Sequence, residues 1–378
     1  GTRLRAGNIA TADAPLVVRL RHAGAIILGN TNVPELLMAY VTENLLHGQT
    51  NNPWDVACTP GGSSGGEAAA IAAGCSAGGI GSDGGGSIRV PAHYCGICGL
   101  KPTPGRIPST GHYPPSGGPF ALLGVVGPMA RTARDLEILF EALAGPDVGD
   151  VCSAPVPVRR RCGDEIRRIN IGYFEEHASA PVTPETRSVV RRAAEALRSA
   201  GFSVAAFTPT GLERAAELWW NFFGRVGATL IAPLYAGRES EMAPTMRDYL
   251  DTAGSAGPLT GEELLQTWLE RDACFVRLLA EMEKFPVLLC PVSSGPAPKH
   301  GVLQWSRRDG RVSYLDAMQY SQWFNLLGNP AAVVPAGKSP EGLPIGVQIV
   351  GRPWEEENVL GVARCLEDAL GPWARPPI

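Results

Sequence analysis

Residues 61–67 read Gly61-Gly62-Ser63-Ser64-Gly65-Gly66-Glu67, and residues 83–89 read Asp83-Gly84-Gly85-Gly86-Ser87-Ile88-Arg89. The first segment runs into a helix-forming stretch at 68–73. Glycines let backbone N–H groups approach a ligand closely and adopt positive φ. Either segment alone reads equally well as a tight turn in a crowded α/β protein. A phosphate loop would carry Gly-Lys-Ser/Thr at the helix start. Here Gly65-Gly66 leads to Glu67, whose charge repels phosphate. Neither segment gives GxGxxG inside a clear βαβ unit, so a dinucleotide site fits poorly.

Helix and strand signals alternate outward from these segments, which predicts an α/β fold. Asp13 and Pro15 mark a helix start and Gly24 its stop. Residues 25–28 read as a short buried strand. Thr132 with Asp135 reads as a capping box, followed by Leu136, Leu139, Phe140 and Leu143 on one helical face and Gly145 as the stop. Strands are expected at 169–173, 287–290 and 347–350. Thr183-Pro184 opens a helix that ends near Gly201, and 355–370 reads as a closing helix. Residues 159–161 are the best candidate for an exposed crossing between two lobes, with their arginines as solvated surface. No repeat of fixed period and no long linker interrupts the pattern.

The 378 residues are 44% hydrophobic and 19% charged, with a formal net charge of −4. That balance suits a soluble globular protein and points away from nucleic acid or an acidic membrane surface as partner. No apolar run reaches the roughly 18–20 residues of a membrane span. Nine cysteines are scattered without disulfide spacing, which predicts a reducing, cytoplasmic setting. Cys95 and Cys98 form the one close pair. They read as small buried hydrophobes in preference to a redox CxxC, and no second pair or histidine follows at zinc spacing.

Further motifs accompany the two glycine segments. They are Asn30-Thr31-Asn32, Cys98-Gly99-Leu100-Lys101-Pro102-Thr103, Gly127-Pro128-Met129-Ala130-Arg131, Gly328-Asn329-Pro330-Ala331 and Gly342-Leu343-Pro344-Ile345-Gly346-Val347-Gln348. With them the chain resembles the amidase signature family of serine hydrolases, least clearly over about residues 150–285. His47-Gly48-Gln49-Thr50, Asn52-Pro53-Trp54 and the stretch 94–101 look most like its fatty acid amide hydrolase branch. The resemblance implies one α/β domain over 1–378, a mixed, twisted central sheet covered by helices on both faces, and no metal or organic cofactor.

The same resemblance implies site residues. Ser87 matches the nucleophile. Ser63 matches the serine that follows a cis peptide bond and relays the nucleophile's proton to a neutral lysine. Gly84, Gly85, Gly86 and Ser87 match the backbone donors of an oxyanion hole. Ser64, Asp83 and Arg89 are supporting candidates, with Asp83 and Arg89 expected to pair and hold the loop. His93, the histidine nearest Ser87 in sequence, reads as a core or surface histidine, because the family uses no histidine base.

The family's lysine precedes the first helix, in a Lys-Asp segment followed by a glycine-rich turn. Residues 1–7 look like that later turn, with Leu4-Arg5 where the family has threonines. Lys101 already matches a separate family position. The chain is therefore expected to be an N-terminally incomplete amidase domain, inactive or nearly so as it stands; natural loss of activity and a different base are the alternatives. Truncation would also expose apolar surface. The implied reaction is hydrolysis of a carboxamide through an acyl-enzyme, on a small-molecule amide. The branch resemblance suggests a hydrophobic acyl group. Residues 37–40, the loop around Tyr113, and Trp219, Trp220, Phe222 and Phe223 are candidate pocket walls, though core is the favoured role for the aromatics. The competing functions are a non-catalytic protein that keeps the fold and the glutaminase-type subunit of an amidotransferase. Nothing in the sequence sets an oligomeric state.

Overall fold

A computed structural model describes residues 1–115, 117–159, 161, 163–302, 304–307 and 310–377. Eight stretches with strand character join in one sheet: β1 (Gly78–Asp83), β2 (Cys98–Lys101), β3 (Val125–Ala130), β4 (Asn170–Tyr173), β5 (Ser203–Ala206), β6 (Val287–Pro291), β7 (Ala331–Lys338) and β8 (Pro344–Gly351). Their spatial order is β1-β3-β2-β7-β8-β6-β4-β5. The pairs from β1 through β6 are antiparallel, and β4 runs parallel to both β6 and β5. The sheet is mixed, as expected.

Side chains alternate between the two faces of a strand. In β6, Val287 and Leu289 point to one core, while Leu288 and Cys290 point to another. In β8, Ile345, Val347 and Ile349 join the first core and Val350 the second. Each face carries its own helices. On the first lie α1 (Pro15–His22), α4 (Ala133–Leu143), α5 (Pro184–Ser199) and α8 (Glu356–Leu370), through buried residues such as Leu20, Phe140, Leu197 and Leu366. On the second lie α2 (Gly65–Ala72), α3 (Arg89–Cys95) and α7 (Gln319–Leu326), with α6 (Pro244–Ser255) farther out.

Local chemistry sets the helix starts. The Thr132 hydroxyl accepts from the Asp135 N–H at 3.1 Å, and Thr183 caps α5 with Pro184 at its first position. The Asp135 carboxylate accepts a hydrogen bond from the Thr132 hydroxyl at 2.7 Å and not from the Thr132 N–H, so only half of the expected capping box forms. The expected strand at 25–28 does not form. Ile26 and Leu28 are 86% and 74% exposed, and the run pairs with no strand among the described residues. A short apolar run says nothing by itself about what lies beside it.

The strands before and after residues 159–161 belong to one sheet, so this segment does not join two separate sheets. The Arg159 N–H donates to Glu357 at 2.9 Å, and Arg160 lies outside the described residues. Among the described residues no helix is long and apolar enough to cross a membrane.

Leu289 is fully buried in β6. Leu289→Ala should destabilise the protein by about 2–5 kcal/mol. A urea titration should then show a lower midpoint with an unchanged slope.

Candidate active site

Ser63 sits just before α2, and the Gly62–Ser63 peptide bond is cis. Ser87 ends the glycine loop that follows β1 and precedes α3. The sheet edge and the two helices bring the segments together. The Ser64 N–H donates to the Ser87 carbonyl at 3.1 Å. The Ser64 hydroxyl accepts from the Ser82 N–H at 3.3 Å. Ser63 and Ser87 are both buried and line one cavity of about 460 Å³.

Asp83 and Arg89 organise the loop between them. The Asp83 carboxylate accepts from the N–H of Gly86 at 2.6 Å, Ile88 at 3.1 Å and Arg89 at 3.3 Å. It also accepts from Arg89 Nε and Nη2, each at 3.0 Å. Both side chains are completely buried. Burial alone would raise the Asp83 pKa. The Arg89 charge and its hydrogen bonds, with help from Lys101 and the Ile88 N–H, outweigh burial and lower it to about 2.

Arg89 then spreads to the distant chain. Nη1 donates to Gln348 Oε1 at 2.5 Å, and Nη2 donates to the Ser321 carbonyl at 2.9 Å and to Asn325 Oδ1. Asn325 returns two bonds, to the Asp83 and Leu123 carbonyls, each at 2.8 Å. Gln348 lies in β8 on the face opposite Val347 and Ile349, which is why it meets Arg89 and not the first core. The sequence pattern pairs Asp83 with Arg89 but gives no role to Asn325 or Ser321. Gln348 stands there only as part of a motif.

The glycine carbonyls are fixed from outside. Trp219 Nε1 donates to the Gly84 carbonyl and the Tyr40 hydroxyl to the Gly85 carbonyl, each at 2.8 Å. A Cβ at Gly85 would stand 2.5 Å from the Trp219 ring. Gly86 has φ +128, and its Cβ would stand 2.4 Å from Ser321 Oγ. Among the described residues the N–H groups of Gly84, Gly85 and Ser87 enter no internal hydrogen bond, whereas that of Gly86 is held by Asp83. Free backbone donors in a buried loop suit developing negative charge on a substrate oxygen.

His93 is fully buried. Its Nδ1 accepts from the Gly346 N–H at 2.7 Å, so Nε2 donates to the Gly295 carbonyl at 3.0 Å. Burial lowers its pKa to about 4, more than the Gly295 bond raises it. It is a neutral structural histidine. Cys95 and Cys98 are fully buried, and burial raises both thiol pKa values, which removes the thiolate that redox chemistry needs.

A second cavity, of about 320 Å³, also reaches Ser87. Leu37, Met38 and Phe223 stand between the two, lining both. Leu36 and Leu37 hold left-handed backbone, with φ 48 and 68, which is rare for bulky residues. Trp220 and Phe223 line the second cavity, Phe222 is buried in the core, and Trp219 does both. His112 and Tyr113 line the first cavity.

A family profile described as Amidase matches residues 1–360. The chain belongs to the amidase signature family. The chain is 34% identical to AmiB2 of Mycobacterium tuberculosis, an amidase by name, over 98% of this chain and 79% of that protein. It is 37% identical to a glutamyl-tRNA(Gln) amidotransferase subunit of Roseiflexus castenholzii, over 93% of this chain and 74% of that one. Among solved structures, 6-aminohexanoate cyclic dimer hydrolase complexed with substrate superposes with a TM-score of 0.84 at 31% identity, covering 97% of this chain and 80% of that one. A fatty acid amide hydrolase gives 0.86 at 25% identity, covering 99% and 70%. These likenesses assign the amidase family and no single branch of it.

Asp83→Asn leaves the buried Arg89 charge without its counter-ion and should cost about 3–5 kcal/mol in a denaturant titration. The folded pKa of Asp83, about 2, lies below the unfolded value of about 3.9. Its stabilising effect is therefore complete above about pH 4 and is lost as pH falls toward 2. The acid limb of the wild-type stability curve should be flatter in Asp83→Asn.

Proposed function

We propose that Ser87 is the nucleophile of a carboxamide hydrolase and that Ser63 relays its proton. The observation that carries this reading is the shared cavity: two buried serines from separate segments line it beside unengaged backbone N–H groups. Ser87 Oγ attacks the carbonyl carbon as its proton passes to Ser63. The oxygen takes the negative charge and is met by the N–H groups of Gly84, Gly85 and Ser87; Gly86 contributes through its bond to Asp83, which sets the loop. Each well-aimed donor is worth about 2.7–4 kcal/mol to the transition state. The C–N bond breaks as Ser63 returns the proton to the leaving amine. Water then cleaves the acyl-enzyme by the same relay, giving a carboxylic acid.

The family resemblance ends the relay on a neutral lysine. In this reading Lys101 does not fill that place. Lys101, the one near the site, is fully buried, its Nζ donates to the Pro102 carbonyl at 3.0 Å, and it lines neither cavity. The resemblance puts the acceptor on a segment upstream of the first helix.

The cavity walls support an apolar acyl group, since aromatic and aliphatic side chains together make up most of the one beside Gly85. A second reading is a glutaminase-type subunit that passes ammonia to a partner. The 37% identity to an amidotransferase subunit favours it. Hydrolysis of glutamine with copurifying partner subunits would select that reading, and hydrolysis of apolar amides by the isolated protein would select the first.

Ser87→Ala should lower amide hydrolysis at least about 10³-fold, and Ser63→Ala about 10²- to 10⁴-fold. Ammonia release measures both. A fluorophosphonate probe should label Ser87. Retained activity in Ser87→Ala, or labelling at another serine, would overturn the assignment.

A further inference from the structure

The two cavities that meet at Ser87 differ in chemistry. Ser63, which returns a proton to the leaving amine in the reading proposed above, lines the 460 Å³ cavity and not the 320 Å³ one. The leaving amine therefore lies on the Ser63 side, and the acyl part extends into the cavity beside Gly85.

That acyl cavity is walled by the rings of Tyr40, Trp219, Trp220, Phe223, Tyr249 and Tyr314. Several of their polar atoms are turned away from it. Trp219 Nε1 is bound to the Gly84 carbonyl, the Tyr40 hydroxyl to the Gly85 carbonyl at 2.8 Å, and the Tyr249 hydroxyl to the Phe223 carbonyl at 2.7 Å. Trp219 and Phe223 stack with centroids 4.6 Å apart. What remains for a ligand is largely apolar surface, aliphatic from Leu37, Met38, Val41 and Leu315 and aromatic from the six rings, and rings attract both apolar stems and cations.

One charged residue stands among the described residues lining this cavity, Asp248 on α6. Its carboxylate enters no ion pair among the described residues. The adjacent Arg247 is turned to the Glu239 carbonyl at 3.1 Å. An exposed carboxylate at the rim of an aromatic box, with no cation of its own, is complementary to a ligand cation.

We infer that the acyl cavity receives an acyl chain whose far end carries a positive charge, and that Asp248 and the aromatic rings select it. The substrate class is then an ω-ammonium acyl amide: an apolar stem along the rings, an ammonium at Asp248 and the scissile carbonyl at Ser87. This rests on the serine hydrolase reading and names the substrate of that same site.

The test compares ω-aminoalkanamides from 4-aminobutanamide to 8-aminooctanamide with the uncharged alkanamides of equal length. In the wild type, kcat/KM for the best ammonium substrate should exceed that of its neutral partner by at least about fivefold. Asp248→Asn should bring that ratio to about one, and Asp248→Glu should keep most of it. A ratio near or below one in the wild type, or one that persists in Asp248→Asn, overturns the inference while the serine mechanism stands. If neither series is hydrolysed, fluorophosphonate labelling of Ser87 tests the serine reading separately. Hexylammonium binding, followed by tryptophan fluorescence against 1-hexanol, then decides the cavity. Tighter binding of the ammonium that is lost in Asp248→Asn supports the inference, and equal binding overturns it.

Discussion

The buried Asp83–Arg89 ion pair is the constraint around which this molecule is arranged. Taking two charges out of water is costly, and such a pair persists only when every remaining donor and acceptor is met. Asp83 meets that demand with the N–H groups of its own loop. Arg89 meets it with a carbonyl and two amide side chains supplied by α7 and β8. One electrostatic requirement therefore ties the loop after β1 to parts of the chain that fold against it from far away. The glycine loop keeps a defined path because the pair at its two ends is anchored on both sides.

The site's local half was legible in sequence. Glycines flanking Ser63 and Ser87, and an acid and a base bracketing the second segment, describe their own neighbourhood. The buried strands at 287–290 and 347–350 were legible too, because a short continuous apolar run is a property of its own residues; their division between two cores was not. The contribution of Asn325 and Ser321 was not. Their role depends on α7 lying over the loop, and no spacing within residues 319–326 says so. The same limit explains residues 25–28, whose apolar character reads as a strand although burial depends on what else is present. The Trp219 and Phe223 rings were hard to assign for another reason: a residue that closes the core and walls a cavity satisfies both descriptions.

Leu36 and Leu37 illustrate a second form of constraint. Their left-handed backbone places Leu37 and Met38 between two cavities that share Ser87. A bulky side chain in that conformation is held there by its surroundings. Among those surroundings, the Glu35 carboxylate accepts the Ala243 N–H at 2.6 Å, linking this turn to the start of α6. The wall between the cavities and the helix that carries Asp248 are thus fastened to one another.

The indole of Trp219 has two duties, since its ring bounds the 320 Å³ cavity at Ser87 while its N–H holds the Gly84 carbonyl. Reshaping the cavity at this position would release a peptide plane in the loop that carries Ser87. Trp220 and Phe223 offer ring surface without a bond to that loop. A roomier cavity is therefore reached at less cost to the loop through Trp220 than through Trp219, whose indole nitrogen ties the cavity wall to the peptide chain that carries Ser87.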